Sequence, residues 1–263
     1  MALKLSVLFF TPLISGLLIY LVKNFRSANF KLLLVFAGAY LFGITVVHIL
    51  PELYRENQEV EMIGLFVLLG FFLQQILEFF SSGVEHGHIH TAHGHDHTAH
   101  DHSNGHHHHS HSHDHSKSAL VLLIALCVHA FLEGGMLAES PNRAAHYDLN
   151  AILLGIALHR APAAFALMTV LVAQLHSRTK ALPYLVAFSV AAPVGLLLST
   201  YFVQTETLSE RGLIFLYALV SGNFLHISTT IVFESSPEHR FNAKKLAVAI
   251  VGALAAVMVE YMI

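Results

Sequence analysis

The sequence predicts an all-α fold: a polytopic membrane helix bundle with eight transmembrane helices and a disordered His-rich loop between helices 3 and 4. Three observations carry this. The composition is 55% hydrophobic with 12% charged residues, where a soluble domain carries about 25% charged. Mean hydropathy is +0.61. Mostly apolar runs of about 20 residues, the length that crosses a hydrocarbon core, recur along the chain.

Those runs fall at 4–22, 31–53, 62–82, 118–138, 149–174, 182–203, 211–234 and 243–262. The first could be mistaken for a signal peptide, but no A-x-A cleavage signal follows its long apolar stretch, so it reads as a retained span. The chain then divides into 1–82 (spans one to three), 83–117 (the loop) and 118–263 (spans four to eight). Orientation follows from Lys and Arg near the span ends. Lys23, Arg26, Lys31, Lys117, Arg178, Lys180, Arg240, Lys244 and Lys245 fall on one side, and Lys4, Arg55, Arg143 and Arg211 on the other. This predicts both termini outside and the loop in the cytoplasm. Glu56, Glu59, Glu61, Glu139, Asp148, Glu206 and Glu210 then give the outer side a mild attraction for cations.

Composition also excludes. Lys and Arg total 14 against 17 Asp and Glu, so the chain has no excess of basic residues for nucleic acid. One cysteine, Cys127, permits neither an intrachain disulfide nor a cysteine-based zinc site, and it reads as a small buried apolar residue. Of the 22 histidines, 15 lie between His86 and His115, in "VEHGHIHTAHGHDHTAHDHSNGHHHHSHSHDHSKS". That segment has almost no apolar residues, cannot bury a core, and is expected to be disordered without ligand. Its imidazoles suit zinc, nickel, copper or cobalt with little selectivity, which points to metal buffering or sensing.

The spans themselves contain groups that are costly in lipid. In "ALCVHAFLEGGML", His129 and Glu133 stand four residues apart on one helical face. In "LLGIALHRAPAAFAL", His159 lies at comparable depth. Pro162, three residues on, removes the donor for the Leu158 carbonyl and predicts a local kink. Two imidazoles and a carboxylate suit zinc and leave a coordination position open, as fits an ion that must leave again. "GITVVHILPEL" repeats the i, i+4 spacing with His48 and Glu52 around Pro51, and "SGNFLHISTTIVFES" sets His226, Thr230 and Glu234 on one face. Glu78 and Glu234 read more simply as headgroup-level residues, and His146, His176 and His239 as loop residues.

On these residues the chain resembles the ZIP family of divalent-metal transporters. "FAGAYLFGITVVHILPEL" is similar to that family's second span, "HAFLEGG" to its fourth-span H-x-x-x-[ED]-G motif, and "HRAP" to its fifth-span H-x-x-P motif. "LEFF…HGHIH" resembles its glutamate ahead of a histidine run, and the likeness covers essentially the whole chain. The resemblance implies movement of zinc, or another divalent metal such as iron, manganese, cobalt or cadmium, from outside to cytoplasm. It also implies a homodimer and one bundle sliding against another. Members with a two-metal centre carry a polar residue after the fourth-span histidine and an acid or amide after the fifth-span one; here those positions are Ala130 and Arg160. Ala163 stands where a carboxylate often follows the proline, and Leu132 where the fourth-span motif often has proline. The second site is therefore expected to be absent, with Arg160, permanently cationic, standing in for the second ion. Three firm ligands predict loose selectivity.

Cation-efflux exporters and nickel or cobalt permeases share the chemistry but not the span count or the H-x-x-P motif. An intramembrane zinc-dependent hydrolase lacks support, since neither H-E-x-x-H nor G-x-S-x-G occurs, so the chain is not expected to be an enzyme. The expected route begins with a hydrated ion shedding water onto His129, Glu133 and His159. The site then opens inward with His48 and Glu52 as relay ligands, and the histidine loop captures the ion. The expected location is a plasma (inner) membrane.

Overall fold

A computed structural model describes residues 1–21, 27–56, 58–81, 115–139, 149–234 and 243–262. Most of the histidine-rich segment, and with it the expected disordered loop, lies outside these residues. Among them the structure is helical throughout: α1 (Ala2–Leu17), α2 (Ser27–Ile44), α3 (Leu50–Glu56), α4 (Val60–Ser81), α5 (His115–Gly135), α6 (Leu149–Leu175), α7 (Arg178–Gln204), α8 (Glu210–Thr229) and α9 (Ala243–Met262). Six stretches are long and apolar enough to cross a membrane: Ala2–Tyr20, Lys31–Arg55, Val60–Phe80, Leu149–Leu175, Arg178–Gln204 and Glu210–Val232. The apolar part of α5, Ala119–Gly135, is shorter. Helix α9 has 20 residues and starts beside Lys244 and Lys245.

Local chemistry explains the ends and the irregularities. Ser177 and Ser209 cap α7 and α8, accepting from the amides of Lys180 and Gly212. Helices α2 and α3 form one column joined by a π-helical turn at Thr45–Ile49. Pro51 has no N–H to offer the Val47 carbonyl, so the hydrogen-bond register slips by one residue, with the Leu50 amide bonding to the Thr45 carbonyl. A second π turn, Thr230–Glu234, continues α8. His48 sits within the first turn, and His226 ends one turn before the second.

The columns pack as two groups of four. Helices α1, α5, α6 and α7 pack mainly on one another, and so do α2, α4, α8 and α9, with α2 against α6 and α4 against α5 across the divide. Membrane helices gain no hydrophobic drive from one another, so they associate through close packing at small residues. On α4 and α8, a Cβ at Gly70 would lie 1.8 Å from the Leu219 carbonyl oxygen, and one at Gly222 would lie 1.9 Å from that of Val67. On α5 and α7, Gly134 meets the Ala192 carbonyl and Gly195 the Phe131 carbonyl in the same reciprocal way. Two tyrosines bridge the groups: Tyr40 of α2 donates to Ala151 O of α6, and Tyr217 of α8 to Ala138 O beyond α5, both at 3.3 Å.

Candidate metal centre

Helices α5 and α6 bring His129, Glu133 and His159 together. One ligand atom from each lies within 4.8 Å of the others, and all three side chains are buried. Four-residue spacing on α5 stacks His129 and Glu133, with Nε2 and Oε1 3.1 Å apart. The two imidazole rings stand edge to face, centroids 6.0 Å apart. Pro162 lies inside a helix that runs on to Leu175, and beside it the Ser15 hydroxyl donates to the Ala161 carbonyl, docking α1 onto α6. Two nitrogens and one oxygen at this spacing can close on a single divalent ion of zinc type. Every one of these ligands belongs to the α1–α5–α6–α7 group.

Arg160 is 1% exposed. Its Nη2 donates to the Phe188 carbonyl at 2.9 Å and its guanidinium lies 4.8 Å from the centre of the Phe188 ring. Nε and Nη1 are buried with no hydrogen-bond partner.

The other predicted ligands are not part of this cluster. Gly155 of α6 packs against Tyr40 and Leu41 of α2. From that level His48 stands seven residues along α2 and His159 four residues the other way along α6. At 1.5 Å per residue the two are about 16 Å apart along the bundle. His48 and Glu52 stand toward the end where Lys4 bonds the Leu137 carbonyl. His226 is elsewhere again: its Nε2 lies 2.6 Å from Glu78 Oε2, and Phe71 meets its ring edge-on. Glu78 is near the end of α4 from which the histidine-rich segment departs.

Sequence reasoning singled out Glu78 ahead of the histidine run and read it as a headgroup-level residue, but did not give its pairing with His226. Two further residues it missed. Phe188, which holds Arg160 by carbonyl and ring, gives no signal in the sequence. Lys4, read as a loop cation, is buried and paired with Glu139, and that hydrogen bond holds the Glu139 carboxyl below the usual carboxylate range.

The sequence profile of the ZIP zinc transporter family matches residues 1–260. The chain is 28% identical over 262 aligned residues to the zinc transporter ZIP9-A of Xenopus laevis, covering 83% of this chain and 79% of that protein. It is 27% identical, with the same coverage, to the zinc transporter ZIP9 of Xenopus tropicalis.

Proposed function

This chain belongs to the ZIP zinc transporter family, and from that premise we propose that it carries zinc into the cytoplasm, one ion at a time, through His129, Glu133 and His159. The observation that carries the reading is the convergence of these three buried groups on two mostly apolar helices. A carboxylate buried in a membrane is expensive unless it meets a cation. The chain is a multi-pass membrane protein and a divalent-metal transporter, as its family is. Direction, metal count and route are the proposal.

Arg160 supports the single-ion reading, because it puts a buried, permanent positive charge directly after His159, where an acid or amide would serve a second ion. His48 and Glu52 act at the outer entrance. Glu78 and His226 receive the ion on the inner side, from which residues 86–115 take it up. The ligands sit on one four-helix group, which Tyr40 and Tyr217 join to the other by single hydroxyl bonds to backbone carbonyls. This favours exposure of the site by sliding of one group along the other. A homodimer in a plasma membrane completes the proposal.

The test is zinc accumulation in cells expressing the intact protein, Glu133→Ala, and a version lacking residues 86–115, at matched membrane levels. Intact and loopless proteins should both raise cellular zinc while Glu133→Ala does not. A fall in zinc with the intact protein would make it an exporter.

A further inference from the structure

Helices α5 and α7 touch backbone to backbone at one crossing, where Gly134 meets the Ala192 carbonyl and Gly195 that of Phe131. From there toward the start of α7 an open groove of about 1070 Å³ lies between them. Ile124 and Val128 stand on its α5 wall and Val186 and Val190 on its α7 wall, and all four are exposed. Among the described residues, Thr179 and Cys127 are the only lining residues whose side chains are not hydrocarbon. Helical spacing sends His129 and Glu133 from the opposite face of α5, so the groove is separate from the metal centre.

The groove is basic at one end. Arg178 and Lys180 flank Thr179 there, and both are exposed. Arg178 stands one turn from Leu182, and Lys180 two turns from Ala187; both of those residues line the groove. The Tyr20 hydroxyl donates to the Arg178 carbonyl at 2.9 Å, and the Tyr20 ring centre lies 5.7 Å from the guanidinium. Tyrosine is a residue of the headgroup level. From Thr179 to Val194 the groove follows α7 for about 22 Å, whereas one leaflet contributes about 15 Å of hydrocarbon. Cations at headgroup level thus stand over an apolar groove as deep as a leaflet.

We propose that the groove between α5 and α7 binds an anionic glycerophospholipid, with its phosphate on Arg178 and Lys180 and one acyl chain along the groove. On the proposed orientation this is a lipid of the cytoplasmic leaflet, where anionic headgroups collect. A helix from a second copy could cover the apolar walls but would leave the two cations unanswered. The lipid backs α5 from the face opposite its metal ligands.

The chain has no tryptophan, so a single introduced one reports its own surroundings. Full-length Ile124→Trp and Leu68→Trp are reconstituted into vesicles of phosphatidylcholine and phosphatidylglycerol, with quenching brominated chains on one lipid or the other. Ile124 lines the groove and Leu68 stands on α4, and the two are 54% and 53% exposed. At Ile124→Trp phosphatidylglycerol should be preferred by up to about thirtyfold, as two cations near an anionic headgroup allow. Adding Arg178→Gln and Lys180→Gln should lower the preference to that at Leu68→Trp, while adding Lys244→Gln and Lys245→Gln, on α9 of the other group, should leave it unchanged. Val128→Trp gives the same reading if Ile124→Trp fails to fold. Equal quenching by the two lipids in the groove overturns the proposal, and so does a preference that survives loss of both cations. Strong quenching at Leu68→Trp with none at Ile124→Trp would put protein in the groove, as a second copy would, and overturns it too. Lipid contact is read with no zinc present, so the outcome is independent of the transport reading.

Discussion

Gly134 follows Glu133 directly on α5. A Cβ at this position would lie 1.9 Å from the Ala192 carbonyl oxygen of α7, whereas ordinary contact begins at 3.4 Å. In Gly134→Ala the two helices must therefore separate by about 1.5 Å, because the obstacle is backbone and cannot rotate away. Two effects compete. Alanine is the better helix former by about 1 kcal/mol, while overpacking costs about 1–3 kcal/mol. A rigid obstacle at this distance puts the cost at the upper end, so the net change should be about 1–2 kcal/mol destabilising. The functional effect should be larger. Ligand constellations tolerate displacements of about 0.5 Å, and a shift of α5 moves His129 and Glu133 relative to His159. Gly64→Ala is the control, since the nearest atom there is Tyr54 Oη at 3.7 Å. Thermal unfolding in detergent and zinc uptake in vesicles are the assays. Gly64→Ala should hold or raise Tm and keep uptake, while Gly134→Ala should lower Tm and cut uptake at least about tenfold. Parental Tm and uptake in Gly134→Ala would refute the argument that this contact fixes the site.

Glu78→Gln should leave zinc bound at the central cluster but slow its release inward, visible as a lower maximal uptake rate with little change in half-saturating zinc; an unchanged rate would remove Glu78 from the route. The Tyr40→Phe and Tyr217→Phe pair deletes the two tyrosine hydroxyl bonds described above, at about 1 kcal/mol each, and should change how fast a cysteine probe near Ala138 reacts with an aqueous thiol reagent. No change would show that those bonds do not hold the two groups together at that end of the bundle. Glu139→Gln should lower Tm at neutral pH. Because pairing with Lys4 depresses the Glu139 carboxyl, its contribution is present above the ordinary carboxylate range and is lost as pH falls through the depressed value. The gap in Tm should close on acidification, and a gap independent of pH would refute the pairing.

Which parts were legible in the sequence follows from the range of the signals. The His129–Glu133 pair and its partner His159 could be read because helical periodicity places i and i+4 on one face, and because ionisable groups are conspicuous in apolar runs. Helix type and approximate span ends followed from the same apolar runs. Pairing between spans was beyond that reach. Nothing local in "GITVVHILPEL" tells that His48 stands about 16 Å from His159 along the bundle, because depth depends on which helix neighbours which. The same holds for Glu78 against His226 and for the Phe188 carbonyl under Arg160. The reciprocal glycines of α4 with α8 and α5 with α7 are visible as residues, but the sequence does not say which carbonyl each admits.

All three ligands of the cluster come from helices of a single group. On the sliding proposed above, that group carries the donors with it as a unit, so the ion meets the same coordination shell at either face of the membrane. A ligand held equally well in two conformations shifts no population between them, however tightly it is bound. Loading therefore cannot by itself drive the movement, and unloading cannot depend on the shell coming apart. Net flux must follow the electrochemical difference of the carried ion between the two compartments, free zinc and membrane potential together. On the proposed orientation the tract of 15 histidines between His86 and His115 faces the receiving side, where its imidazoles would bind delivered zinc and keep that difference steep.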